Sequence, residues 1–366
     1  MQKHLVIIGA GAAGLPVASQ VRKKNKDIDI TVITDRKYFA YSPCGIPFVF
    51  SGMITSFDTL VLRDKKYYSE MDINILNETT VDKIDLDTNE IFFGNEKLKY
   101  DTLVIATGAK PIIPPIPGIN LEGIYFLNSL EDALKISDAL KNTKSPTIIG
   151  AGAIGLEMAH AFLKKGLKSR LIEMKDRVLP NMLDKDMSNI VEDYLSSLNM
   201  NVHTSTVASS FIGSKEVTHV KANGNEFETD LVLVSVGVRP NVELAKNAGI
   251  ETGITGAIVT DASLRVRRHG KYLKNVYACG NCIEVTDIIT HKSTISALGS
   301  TAIRQGVLVA DNILGKNSVF GSISSPSIAV IGELEVGTVG ITKERALEYG
   351  ISPIEGNAKG LTRAKY

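Results

Sequence analysis

The chain contains no tryptophan and only three cysteines, and aromatic residues make up 6% of its 366 positions. No apolar run approaches the ~18 residues that a helical membrane span needs, so no membrane partner is expected. An excess of one charge is also missing. The 41 Lys and Arg residues face 40 Asp and Glu, for a net charge of +1, and short basic clusters such as Arg22-Lys23-Lys24 and residues 265–268 make no broad basic face. Nucleic acid is therefore not an expected partner. The N-terminus runs from Met1 into Leu5-Val6-Ile7-Ile8 without a secretory-signal layout, which predicts a cytoplasmic protein. In that reducing compartment three cysteines cannot complete a set of bridges, and each has to be core, ligand or reagent.

Glycine is abundant, at 31 residues, and two of its clusters organise the chain. Leu5-Val6-Ile7-Ile8 has the continuous apolar pattern of a buried strand and leads into Gly9-Ala10-Gly11-Ala12-Ala13-Gly14, then an alanine-rich helix to about Lys24. A second apolar run over residues 28–33 ends at Asp35 beside Arg36, 21 residues past Gly14, where a dinucleotide fold places an acid for the ribose hydroxyls. The arrangement recurs: Thr147-Ile148-Ile149, then Gly150-Ala151-Gly152-Ala153-Ile154-Gly155, a helix from about Leu156, and Ser169-Arg170-Leu171-Ile172 ending at Glu173. In both copies the glycines let the backbone approach a pyrophosphate, and the next helix points free N–H groups and its positive dipole end at that charge. Two dinucleotide sites are predicted.

Two further strand endings, Ile105-Ala106-Thr107-Gly108 and Val234-Ser235-Val236-Gly237, are each followed by a proline-containing exit, Lys110-Pro111 and Arg239-Pro240, and read as crossovers between domains. Residues 275–281 predict another strand and turn, and residues 293–314 a helix.

Taken together, these motifs with Ser42-Pro43-Cys44-Gly45, Glu157, Val238-Arg239-Pro240-Asn241 and Ala278-Cys279-Gly280-Asn281 strongly resemble the FAD-dependent pyridine nucleotide-disulfide oxidoreductases, in their single-cysteine branch. The branch includes coenzyme A disulfide reductases, NADH oxidases and peroxidases, and persulfide reductases. The resemblance implies an α/β fold with two Rossmann-like domains plus the start of an α+β dimerisation domain. The FAD-binding domain would comprise 1–112 and 237–320, the inserted NAD(P)H-binding domain 113–236, and the partial C-terminal domain 321–366. Arg363-Ala364-Lys365-Tyr366 matches a point inside that third domain, so more of it would follow, and the family's assembly is a homodimer.

Cys44 is implied as the redox residue, its thiolate stabilised by a helix N-terminus and the flavin. Dithiol relatives carry a second cysteine five residues on, but here that position is Val49, so Cys44 would cycle through a mixed disulfide, persulfide or sulfenic acid. FAD would be held by Gly9, Gly11, Gly14, Asp35, Arg36, Thr107, Gly108, Gly280 and Asn281. NADH or NADPH would be held by Gly150, Gly152, Gly155, Glu173 and Gly237, with Glu157 near the nicotinamide. A carboxylate at Glu173 favours NADH, while Lys175 and Arg177 leave NADPH open. Arg22 and Lys23 match a basic pair near the phosphates of bound coenzyme A, Ser42 lies on the substrate side, and Tyr366 matches a tyrosine that supplies a proton in the partner subunit's site. Ala12 stands where oxidases and peroxidases commonly carry a histidine, Ala153 where many relatives place an aromatic, and Asn281 where an Asp is usual.

Cys279 and Cys282 form a CxxC, but no second CxxC or nearby histidine completes a zinc site, so they read as packing and no metal is expected. The activity implied is NAD(P)H-dependent reduction of coenzyme A disulfide or a related small disulfide, persulfide or polysulfide. The alternatives are an NADH oxidase that reduces O2 through a cysteine sulfenic acid, and a non-catalytic flavin and NADH redox sensor.

Overall fold

The computed structural model describes residues 3–360. Two parallel sheets dominate it. The first runs in the order Arg265–Arg268, Lys271–Ala278, Thr102–Ile105, His4–Ile8, Asp29–Ile33, Ile73–Leu76, with every pairing parallel except the Arg265–Arg268 edge. The central strands are buried on both faces, which is why Leu5-Val6-Ile7-Ile8 and Leu103-Val104-Ile105 are continuously apolar rather than alternating. The second sheet is parallel throughout, in the order Asn201–His203, Arg170–Ile172, Pro146–Ile149, Leu231–Val234, Ile124–Phe126.

In each sheet the strand that feeds a glycine loop lies where the order reverses, the place at which doubly wound sheets bind ligands. Two antiparallel three-stranded sheets, Lys83–Lys99 and Ala208–Glu228 in extent, flank these layers. The two proline exits pair with each other: Ala109–Pro111 and Val238–Pro240 form a short antiparallel ribbon where the chain leaves and re-enters the first unit.

The predicted helix over 293–314 is shorter than expected. It spans Gly299–Ile313, and Ser293–Thr294 instead pairs with Val285–Thr286 as a strand, in keeping with the β-branched run Thr294-Ile295. Helix Gly299–Ile313 lies close against helix Gly14–Lys24, and a Cβ at Gly306 would come within 2.3 Å of the Ala13 carbonyl oxygen, so glycine is needed for that approach. Toward the C-terminus the hairpin Ser327–Ile331 and Leu334–Thr338 precedes helix Lys343–Glu348.

The cores are divided in an unexpected way. The first sheet owns one core, but the segment after Cys44 is not in it. Ile46, Phe50 and Leu60 are buried among Leu130, Ala133, Leu156 and Met158, within the core of the second sheet.

Candidate functional site

The two glycine loops are near copies. Gly9 and Gly150 take φ of +112° and +104°, and a Cβ on either would lie 2.1 or 2.4 Å from a carbonyl oxygen of the neighbouring strand ending, Ala106 or Ser235. The third glycines, Gly14 and Gly155, let the helix sit on the turn, since a Cβ there would be 2.0 Å from the carbonyl oxygen of Gly9 or Gly150. The middle glycines, Gly11 and Gly152, face nothing within 4 Å. Protein packing therefore explains the outer glycines of each loop, whereas the middle one borders open space of the kind a pyrophosphate would fill.

A cavity of about 1000 Å³ opens from the first loop. Its lining includes Gly9, Gly11, Asp35, Arg36, Thr107 and Gly108 from the predicted FAD set, together with Ala12, Lys23 and Pro43. Thr107 is fixed from behind: its Oγ1 donates to the Asn241 carbonyl at 2.6 Å, and the Asn241 N–H donates to the Gly108 carbonyl at 2.9 Å. Gly280 and the half-buried Asn281 lie deeper. The Gly280 N–H donates to Gln305 Oε1 at 2.7 Å, and a Cβ at Gly280 would come within 2.9 Å of the Ala13 Cβ, so this turn braces the helix behind the first loop. The donor set, the open middle glycine and the cavity fit a bound FAD.

Cys44 is exposed, in a 3-10 turn Pro43–Gly45 that runs into helix Ile46–Phe50. Ser42 precedes the turn, its N–H bonded to the Leu60 carbonyl at 3.0 Å. Cys279 and Cys282 are fully buried, and burial pushes both thiols up; Cys282 Sγ donates to the Cys279 carbonyl. Among the described residues no group of His, Cys, Asp and Glu could hold a metal ion.

In the second loop, Glu173 is buried and its carboxylate accepts from the Ala151 N–H at 2.7 Å and the Lys175 N–H at 2.8 Å, so it ties the loop to the strand that carries it. Gly237 sits at the ribbon with φ +105°. Glu157 is half-buried and points at the C-terminal hairpin, accepting from the Val330 N–H at 3.1 Å; burial raises its carboxyl above the ordinary range. Arg177 is paired with Asp176 and Glu344.

One expectation is corrected. Arg22 is not available to a substrate phosphate: it is 3% exposed, and its guanidinium donates to the carbonyls of Lys26, Ile28 and Asp72 at 2.7, 2.7 and 2.8 Å. It is the tie between the end of the first helix and the strand that follows Asp72, whereas its neighbour Lys23 is exposed on the cavity wall. Tyr366 lies outside the described residues. Glu131, which accepts from the Lys37 and Tyr38 N–H groups ahead of Cys44, went unnoticed in the sequence because a carboxylate in a helix first turn is commonplace.

A family model described as pyridine nucleotide-disulphide oxidoreductase matches residues 3–306. A protein named NADH oxidase from Methanocaldococcus jannaschii is 42% identical over 99% of this chain and 81% of its own length. A protein named NAD(P)H sulfur oxidoreductase (CoA-dependent) from Pyrococcus furiosus is 33% identical over 100% of this chain and 82% of its own. Among solved structures, a NAD-dependent persulfide reductase from A. fulgidus superposes with a TM-score of 0.90 at 36% identity, covering 95% of this chain. The chain spans 66% of that reductase's length. With its paired glycine loops and reversed strand orders, the chain belongs to the pyridine nucleotide-disulphide oxidoreductases, a family that uses FAD and NAD(P)H.

Proposed function

We propose that the protein is an FAD-dependent NAD(P)H:disulfide oxidoreductase that reduces coenzyme A disulfide or a related small disulfide, persulfide or polysulfide through Cys44. The observation that carries this reading is the contrast among the three cysteines. Cys44 alone is exposed, and its chain neighbours Tyr41 and Pro43 line the cavity of the first loop, while the other two are sealed in the core.

In this reading Gly9, Gly11, Asp35, Arg36, Thr107 and Gly108 hold FAD, with Gly14, Gly280 and Asn281 behind them. Gly150, Gly152, Gly155, Glu173 and Gly237 hold the nicotinamide nucleotide. Bound FAD supplies a two-electron relay between that nucleotide and sulfur. The Cys44 thiolate attacks the substrate S–S bond: Sγ bonds to one sulfur, and the other leaves as a thiolate that takes a proton from solvent. Val49 in place of a second cysteine leaves the mixed disulfide no internal thiol to resolve it, so its reduction requires the two electrons that the cofactors deliver. Lys23 and Ser42 stand on the substrate side. The division into 1–112 with 237–320, 113–236 and 321–366 is supported by the two sheets and the ribbon between them. A homodimer in the cytoplasm completes the reading, the association being supported by exposed Ile328, Val339 and Leu347 on the C-terminal segment.

Cys44→Ser is expected to keep FAD and NADH binding and to lose disulfide reduction; turnover that survives the substitution would exclude Cys44 as the redox residue. A second reading, NADH oxidase, is favoured by the name of the 42% identical relative and predicts steady NADH consumption in air with no disulfide present. Mass analysis of the unreduced protein separates them. A coenzyme A adduct on Cys44 that NADH releases supports the disulfide reductase, and a bare or singly oxygenated thiol supports the oxidase.

A further inference from the structure

The segment that carries Cys44 belongs by sequence to the first unit, yet it is built into the second. Ile46, Phe50 and Leu60 are buried in the same core as Leu130, Ala133 and Ile136 from helix Leu130–Ala139. The polar contacts follow the same route. Glu131, in the first turn of that helix, accepts from the backbone N–H groups of Lys37 at 2.9 Å and Tyr38 at 3.1 Å with a single oxygen, Oε1. Tyr41, three residues before Cys44, is half-buried and packs against this same core. Ser42 is then held by Leu60, and Pro43, whose φ is fixed by its ring, passes that placement on to the thiol with little slack.

The helix that grips the segment is itself well fixed. Ser129 accepts from the Asp132 N–H at 3.1 Å, Asp132 accepts from the Asn128 N–H at 3.1 Å, and the Asn128 side chain donates to the Ala109 carbonyl in the connecting ribbon at 3.4 Å. A carboxylate placed here only to suit its own helix would turn to the free amides of its first turn. Glu131 instead reaches across to the other unit, and its second oxygen, Oε2, is buried without a hydrogen-bond partner among the described residues.

From this geometry we infer that Glu131 is a positioning residue for Cys44, which ties the redox segment to the nucleotide-binding unit so that nucleotide occupancy is felt at the thiol. The inference rests on the reading of Cys44 and of the second glycine loop given above.

The test uses the FAD-loaded full chain and the rate of Cys44 alkylation by iodoacetamide, with and without NAD+ as the probe. Burial of the other two cysteines makes this readout selective. In the native protein NAD+ is expected to change the alkylation rate severalfold. In Glu131→Ala the change disappears and kcat with disulfide falls roughly tenfold, as expected for about 1.4 kcal/mol of lost hydrogen bonding to a charged group, while KM for NADH stays within about twofold. Glu131→Gln keeps an acceptor oxygen and retains the NAD+ response. Glu131→Asp keeps the charge at the helix start but is one methylene short, and loses the response; it serves if the alanine variant does not fold. An unchanged NAD+ response in both the Ala and Asp variants, no response in the native protein, or a Gln variant as impaired as Ala overturns the inference. Cys44→Ser run in parallel separates this from the functional reading, because disulfide turnover in that variant refutes the role of Cys44 whatever Glu131 does.

Discussion

The middle glycines of the two loops offer a test of ligand contact that packing does not confound. A Cβ at Gly11 or Gly152 meets no atom within 4 Å, and neither residue has φ in the left-handed region; Gly152 sits at −75°. Gly11→Ala should therefore leave the apoprotein intact and even raise its stability by about 0.4–1 kcal/mol through a stiffer unfolded chain. In the loaded protein the same methyl occupies space that the pyrophosphate needs. An overpacking cost of about 1–3 kcal/mol converts to roughly 5- to 150-fold weaker FAD binding. Gly152→Ala should weaken NADH by a similar factor and leave FAD untouched. Fluorescence titration of the apoprotein with FAD, nucleotide titration of the holoprotein, and apoprotein melting read all three effects. If Gly11→Ala bound FAD as tightly as the native chain, or if Gly152→Ala released FAD, the assignment of loops to cofactors would fail.

Arg22→Ala removes charged hydrogen bonds to three carbonyls, so it should cost about 2–4 kcal/mol in denaturant unfolding while leaving KM for the disulfide unchanged; a raised KM with native stability would restore Arg22 to the substrate site. Glu157 should give a pH signature. Its folded carboxyl is raised by burial, so the folded state binds more protons than the unfolded state just above the ordinary carboxylate range, and stability falls as pH rises through that window. Glu157→Gln lacks this slope, so the native chain should gain on the variant as pH is lowered from 7 toward 4.5; parallel stability curves would show that Glu157 is not the titrating group.

Much of the fold was legible because the parallel strands are buried on both faces and therefore write themselves as unbroken apolar runs, as in Leu5-Val6-Ile7-Ile8 and Leu231-Val232-Leu233-Val234. The glycine loops were legible for a different reason: the outer glycines of each, Gly9 and Gly14, Gly150 and Gly155, are demanded by contacts at the turn itself, and the middle ones complete a recognisable spacing. The antiparallel sheets were harder to see. The Asn223-Gly224 pair between His219–Ala222 and Asn225–Glu228, both residues with positive φ, was a hairpin cue that went unused. Arg22 was misread because a basic residue at a helix end fits both a solvent-facing charge and a buried tie, and only the return of the chain near Asp72 decides between them. The Glu131 contact joins residues 93 and 94 positions apart, beyond the reach of any local pattern.

The ribbon of Ala109–Pro111 against Val238–Pro240 also bears on how the chain reaches its native state. The strand Lys271–Ala278 must find Thr102–Ile105 across more than 160 intervening residues, a pairing whose loop-closure entropy makes it slow when the intervening chain is disordered. If residues 113–236 fold first, the ribbon draws their ends together and replaces that long excursion with a short one. The first sheet should then close late, in a step that waits for the insert, and destabilising the insert should slow completion of a sheet to which it contributes no strand.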